Sequence, residues 1–181
     1  VFRWANDGDV NSMDPYGRNE TFLLAFNSHI YEPLVRRNRQ MEPEPALAAR
    51  WEQPSPTVWR FHLRRGVRFT DGTPFTADDV VFSVQRARGP GSQLNANFAT
   101  VKEVRKIDDH TVEFETVEPN PIFAREIATV GMMSRMWAER NNAVRPADLT
   151  TREENFATRN AMGTGPFRLV SREPDRRTVL E

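Results

Sequence analysis

The chain has 181 residues, 38% hydrophobic and 28% charged, with twelve Phe and four Trp, which describes one globular domain or part of a larger protein and excludes wholesale disorder. Lys plus Arg and Asp plus Glu each total 25, so the net charge is zero and no global field draws in nucleic acid or an anionic membrane surface. Without cysteine, disulfides, thiolate zinc sites and cysteine nucleophiles are excluded, and no apolar run approaches the roughly 20 residues that span a bilayer.

Val1 to Ala5 has a strand-like pattern with no charged and apolar leader before it, so any signal peptide is expected to have been removed or never to have been part of this sequence. Asn6 to Tyr16 is polar, with Asp7-Gly8-Asp9 and Asp14-Pro15 as turn signals. A helix follows, with Thr21 expected as its N-cap and Phe22, Phe26, Ile30 and Leu34 as its apolar face. Arg36, Arg37 and Arg39 form a basic cluster read as a solvated rim. Pro43 and Pro45 keep the chain extended ahead of Ala46 to Trp51, which can enter a sheet or a short helical turn.

The clearest strand signal comes next. Trp59, Phe61 and Leu63 alternate with Arg60, His62 and Arg64, which puts the apolar residues on one buried face and the basic ones on the other. Val67 and Phe69 continue the alternation after Arg65-Gly66, and Asp71-Gly72 is a turn dipeptide, so this stretch reads as a hairpin. Thr76 then caps a helix over about Ala77 to Arg86, with Asp79 in the capping-box position and an apolar stripe of Ala77, Val80, Val81, Val84 and Ala87. Arg88-Gly89-Pro90-Gly91 stops it. Val101 to Ile107 and Thr111 to Val117 read as a second antiparallel pair joined at Asp108-Asp109.

Pro119 and Pro121 precede a helix expected over Ile122 to Trp137, with Phe123, Ile127 and Val130 on one face and Gly131 ending or bending it. Asn141 to Asn160 is polar with weak periodicity and reads as an excursion rather than a core element. Gly163-Thr164-Gly165-Pro166 breaks the chain before two short strands, Phe167 to Val170 and Thr178 to Glu181, split by Pro174-Asp175. Strands joined mainly by short turns predict a mixed, largely antiparallel α/β layout rather than a doubly wound parallel sheet.

Chemistry-bearing motifs are sparse. His29, His62 and His110 stand far apart without a metal-binding spacing, and Asp78-Asp79 is explained by the first turn of a helix. The two glycines of Gly163-Thr164-Gly165 could offer backbone N–H groups to an anion, but the dinucleotide and P-loop patterns are absent and a tight turn accounts for them. No serine sits in a nucleophile elbow. The basic residues are almost all arginine, a bias of coding composition unless some guanidiniums grip a carboxylate ligand in bidentate fashion.

The order of the pieces says more than any one of them. Ile30-Tyr31-Glu32-Pro33-Leu34-Val35, Pro45-Ala46-Leu47-Ala48 with Trp51-Glu52, the run from Trp59 to Ser83 and Gly163-Thr164-Gly165-Pro166-Phe167 together resemble the family 5 bacterial extracellular solute-binding proteins. These are the peptide, oligopeptide and nickel-chelate receptors of ABC importers. The resemblance implies a two-lobed clamshell of the periplasmic-binding-protein class (type II, cluster C-like), here as its lobe I portion. It divides the chain into the start of the lobe I core (residues 1–35), a family-specific extra subdomain (36–160) and a return to the core (161–181).

By the same resemblance the chain binds rather than catalyses, needs no cofactor or metal, and works outside the cytoplasmic membrane, in the periplasm or anchored through a removed N-terminal segment. Its partners are then a peptide or other small solute and the transmembrane permease subunits, with no nucleic acid and no insertion of this segment into the membrane. Dipeptides, oligopeptides, opines, glutathione, sugars and metal chelates are all handled by relatives. The loop at Asn11, Ser12 and Met13, the stretch with Leu94, Asn95 and Asn97, and the stretch Val130, Gly131 and Met132 are the implied ligand-contacting segments; loop solvation of the polar residues and core packing of the apolar ones are the alternatives. A ligand-sensing domain of a transcriptional regulator and a hydrolase are the competing functions.

Overall fold

The computed structural model describes Arg3, Ala5 and residues 8–181, so the strand expected over Val1 to Ala5 falls, at Val1, Phe2 and Trp4, outside the described residues. In chain order the elements are α1 (Thr21–Asn27), β1 (Val35–Arg37), β2 (Pro43–Pro45), β3 (Ala48–Ser55), β4 (Val58–Leu63), α2 (Ala77–Arg88), a 3-10 turn (Asn95–Phe98), β5 (Val101–Asp108), β6 (Thr111–Thr116), α3 (Phe123–Glu126), α4 (Arg135–Arg140), α5 (Phe156–Arg159), β7 (Leu169–Glu173) and β8 (Arg177–Leu180). Among the described residues every strand pairing is antiparallel, in a four-stranded sheet of order β3-β4-β6-β5 and two hairpins, β1-β2 and β7-β8. This is the mixed α/β layout the sequence implied.

The alternation of β4 sets the sheet's two faces. Trp59, Phe61 and Leu63 are buried, Arg60 and His62 half-buried and Arg64 exposed. On the buried face Phe61 lies 5.5 Å from the Phe114 ring of β6, 6.3 Å from Trp51 of β3 and 6.3 Å from Phe123 of α3, so one aromatic cluster joins three strands to a helix. Offset and edge contacts of this kind add about 0.5–1.5 kcal/mol beyond area burial. The opposite face carries a row of alternating charge across all four strands: Glu52 of β3 meets Arg60 of β4 at 3.4 Å, Arg60 meets Glu113 of β6 at 2.6 Å, and Glu113 pairs with Arg105 of β5. The hairpin expected of β4 with the Val67–Phe69 stretch does not form: β4 pairs with β3 on one side and β6 on the other, joining the expected β5-β6 pair, while Arg68 and Pro74 make only an isolated bridge.

Further expectations need correction. Helix α1 begins at Thr21, with Glu20 rather than Thr21 in the cap position and no side-chain cap. Its buried face is Leu23, Phe26 and Asn27, and it closes at Asn27, whose carbonyl accepts the N–H groups of Ile30 at 2.9 Å and Tyr31 at 2.8 Å. Ile30 is therefore buried from the turn that follows the helix and Leu34 from a bend beyond Pro33, which has no N–H to carry a helix on. In α2 the expected residues Val80, Val84 and Ala87 are buried, but Val81 is only half-buried while Phe82, Ser83 and Arg86 are buried.

The single helix expected over Ile122 to Trp137 is two short ones, α3 and α4, although Phe123, Ile127 and Val130 are all buried. Between them Gly131 forms an antiparallel bridge with Pro33, and Met132 N–H donates to the Glu32 carbonyl at 2.8 Å. A Cβ on Gly131 would lie 2.6 Å from the Tyr31 Cβ, so backbone pairing with residues 31–33 overrides the helical period at a position only glycine can fill. Lastly, residues 141–160 are more than an excursion: they contain α5, and Ala143, Ala147, Ala157 and Thr158 are buried.

The Gly163-Thr164-Gly165 run brings the far end of the chain back against residues 29–31. Gly165 N–H donates to the Ile30 carbonyl at 2.8 Å and Phe167 N–H to that of His29 at 3.1 Å. A Cβ on Gly163 would sit 2.0 Å from the Ile30 carbonyl oxygen. These glycines serve close backbone approach to residues 29–31 rather than the tight turn expected, and residues 164–166 form a bend. No helix among the described residues is long and apolar enough to cross a membrane.

Candidate functional site

Helix α2 runs beneath the candidate segments, and its polar residues are its most informative ones. Thr76 occupies the N-cap with extended backbone, and the Asp79 carboxylate closes the box: Oδ2 accepts the Thr76 N–H at 2.9 Å and hydroxyl at 3.3 Å. The other oxygen of Asp79 accepts the Arg135 N–H at 2.9 Å, tying the start of α2 to the start of α4. Burial raises the Asp79 carboxyl above its ordinary value, against the lowering effect of these hydrogen bonds. One turn on, Ser83 Oγ accepts the Met133 N–H at 2.9 Å and donates to the Met133 carbonyl at 3.3 Å.

Arg86, a further turn along, is buried and forms a two-pronged ion pair with the buried Asp14, at 2.7 Å to Oδ1 and 2.6 Å to Oδ2. Its Nε donates to the Ala143 carbonyl at 3.0 Å and a terminal nitrogen to the Arg145 carbonyl at 3.2 Å, while the guanidinium lies 5.2 Å over the Tyr16 ring. Two charges out of water are costly unless their remaining lone pairs and protons find partners, and here they do. A cavity of about 200 Å³ lies between α2 and residues 144–146, with Arg86 among its lining residues.

Tyr16 extends this node. Its N–H donates to Asp14 Oδ1 at 3.0 Å, its hydroxyl to the Gly131 carbonyl at 2.7 Å, and its carbonyl accepts the Gln93 N–H at 3.0 Å. Burial pushes the phenol well above its usual range, so it is a neutral donor at every physiological pH. Met13 N–H donates to the Thr158 carbonyl at 2.9 Å, which fastens the same loop to α5.

The three candidate segments are therefore brought together. The loop of Asn11, Ser12 and Met13 joins the Val130–Met132 stretch through Tyr16 and Gly131, and reaches the Leu94 stretch through Tyr16 and Gln93. Within them Asn11 and Asn95 are exposed, and Asn97 is half-buried with its amide donating to the Glu126 carbonyl at 2.6 Å. Ser12 is buried, its hydroxyl accepting the Asp14 N–H at 3.0 Å. Met13, Leu94, Val130, Gly131 and Met132 are buried.

Asp14, Tyr16, Ser83 and Arg86 were missed from sequence as a linked set. The one available signal was an arginine and a serine lodged in the apolar stripe of α2.

Other chemistry is structural. Asp78 pairs with Lys106 at 2.6 Å while Asp79 caps, so the adjacent carboxylates do separate work. His29 Nδ1 lies 3.0 Å from the Phe26 carbonyl and His62 Nε2 3.2 Å from Glu52, and among the described residues no group of three or more His, Asp or Glu side chains could hold a metal ion. The arginines counted in sequence pair largely with this chain's own carboxylates.

The model of the bacterial extracellular solute-binding proteins, family 5 Middle, matches residues 42–181. The chain is 34% identical over 137 aligned positions to the periplasmic oligopeptide-binding protein OppA of Salmonella typhimurium, covering 65% of this chain and 25% of that protein. It is 32% identical over 197 positions to the peptide transport periplasmic protein SapA of the same organism, covering 93% of this chain and 34% of that one. The solved structure of the ABC transporter-associated periplasmic binding protein DppA from Helicobacter pylori, in complex with the peptide STSA, superposes with a TM-score of 0.79 at 26% identity, over 96% of this chain and 37% of that chain. The chain thus spans about a quarter to a third of the curated relatives it matches.

Proposed function

This chain belongs to the bacterial extracellular solute-binding proteins of family 5, and on that footing we propose that it supplies most of one lobe of an ABC-importer receptor that captures a peptide or similar small solute in the periplasm and hands it to the permease. Residues 1–35 and 161–181 are its lobe core, and 36–160 the added subdomain. The direct backbone bonds from Gly165 and Phe167 to Ile30 and His29 support that division, since they draw both flanks into one unit. Asn11, Ser12, Met13, Leu94, Asn95, Asn97, Val130, Gly131 and Met132 are the proposed ligand-side segments, with exposed Asn11 and Asn95 as the residues best placed for direct polar contact.

The observation that carries this reading is the convergence of three sequence-distant segments on Tyr16, in a chain whose relatives bind peptides. A lobe of this kind holds one side of a ligand, and closure of a second lobe removes water and strengthens the few directed hydrogen bonds. Nothing in the residues favours a regulator or a hydrolase.

The test is calorimetric titration of the complete receptor with trialanine, together with mass spectrometry of what co-purifies with it from the periplasm. A peptide or small solute released intact on denaturation is expected. Turnover of the co-purified molecule, or a purified receptor that carries nothing and binds no member of a di- to pentapeptide panel, would overturn the reading.

A further inference from the structure

The strongest features outside direct contact are the buried charges, and they have no ordinary stability rationale. A buried ion pair is often no more stabilising than apolar residues of equal volume, so Asp14–Arg86 calls for another explanation than stability alone. Its connections supply one. Arg86 holds Asp14 with two prongs and also holds the carbonyls of Ala143 and Arg145. Asp14 Oδ1 holds the Tyr16 N–H, and Tyr16 in turn holds Gly131 through its hydroxyl and Gln93 through its carbonyl. Each link is a directed hydrogen bond, whereas apolar contact in the same space would leave these loops free to slide.

We propose that Asp14, Tyr16 and Arg86 form a positioning node: none touches ligand, but together they fix the relative placement of the Asn11–Met13, Leu94–Asn97 and Val130–Met132 segments and so set the receptor's affinity. The proposal rests on the ligand-side assignment of those segments for its second half; the mechanical coupling stands apart from it. The fork matters as much as the charge. Lysine in place of Arg86 keeps the cation but cannot grip both Asp14 oxygens while also reaching two carbonyls. Preorganised loops lose less entropy when a ligand orders them, so loosening the node weakens binding through the loops rather than through a lost contact.

The experiment compares Arg86→Lys with Val104→Ala, a buried substitution in β5 that makes none of the node's hydrogen bonds, in the complete receptor. Amide hydrogen exchange is followed at Met13, Tyr16, Gln93 and Met132, whose N–H groups bond to Thr158, Asp14, Tyr16 and Glu32. Arg86→Lys is expected to lower protection at all four together while β4 and β6 keep theirs, and to weaken trialanine binding about tenfold relative to Val104→Ala. Tyr16→Phe, which removes only the hydroxyl bond to Gly131, serves if Arg86→Lys does not fold, and should loosen Met132 with Tyr16 retained. Protection lost at Tyr16 alone, or equal affinity changes in Arg86→Lys and Val104→Ala, would overturn the node. Wild-type receptor that binds no trialanine would count against the peptide reading above, while the exchange data would still decide the coupling.

Discussion

Phe61 gives the sharpest test of the sheet's register. Its ring is fully buried and packs among Trp51, Trp59, Phe114 and Phe123 at centroid distances of 5.5 to 6.3 Å. Phe→Ala in a core costs about 3–5 kcal/mol, the spread reflecting how far the site collapses. Here the lining residues belong to paired strands and a helix braced by Trp59 Nε1 on the Asn120 carbonyl, so collapse is small and the loss should fall near about 4–5 kcal/mol. With a urea dependence of about 2 kcal/mol per molar, the midpoint moves by about 2 M, read from tryptophan fluorescence. Phe61→Leu should lose about 1–2 kcal/mol, and His62→Ala, on the opposite face, less than about 1 kcal/mol. A Phe61→Ala loss no larger than that of His62→Ala would refute both the register and the aromatic cluster.

At the start of α2 the carboxylate outweighs the hydroxyl. Asp79→Ala strips the acceptor from the N–H groups of Thr76 and Arg135 and should cost about 2 kcal/mol in chemical denaturation, while Thr76→Ala should stay near about 0.5 kcal/mol. Glu113 works with pH in the ordinary direction: despite the raising effect of burial, hydrogen bonds and charge from Arg60 and Arg105 hold its carboxyl below the ordinary 4.5. Its stabilising contribution is therefore present above that value and lost as pH falls through the lower folded-state one, so acid titration of Glu113→Gln should show a shallower stability loss below pH 4.5 than wild type. Asp79, raised above 3.8 by burial, acts with opposite sign, its contribution fading as pH rises, and Asp79→Asn should steepen the acid loss. Gly163→Ala forces a Cβ onto the Ile30 carbonyl and should destabilise by about 1–3 kcal/mol, measured as a urea midpoint shift. The chain alone should bind trialanine far more weakly than the complete receptor, since one lobe leaves the ligand half in water; equal affinity by calorimetry would refute the two-sided cleft.

What was legible in the sequence was whatever local periodicity decides. The β4 alternation, the capped α2 and the β5–β6 pair all follow from patterns a few residues long, and the structure keeps them. What was not legible was decided by backbone-to-backbone approach. The apolar period of Phe123, Ile127 and Val130 reads as one helix face, whereas the helix stops at Glu126 and the chain bridges from Gly131 to Pro33, almost a hundred positions away, leaving Ile127 and Val130 buried outside it. Likewise the polarity of residues 141–160 suggested solvent, because a carbonyl given to a buried guanidinium leaves no mark in composition.

The same distinction explains why the candidate site was legible only as segments. Family resemblance singles out segments rather than side chains, and within them Asn11 and Asn95 are exposed. The groups that fasten these segments and the chain next to them are acceptors and donors of the main chain, at Gly131, Ala143 and Met133, met by Tyr16, Arg86 and Ser83. A main-chain partner places no constraint on the residue type that supplies it, so neither Ala143 nor Met133 signals its role in sequence. The informative trace lies on the other side of each bond: a polar side chain, Ser83 or Arg86, in the middle of an otherwise apolar helix face, where burial without a partner would cost about 1–3 kcal/mol or more. A polar residue kept there implies a fixed partner, and in α2 the partners are Met133 for Ser83 and Asp14, Ala143 and Arg145 for Arg86.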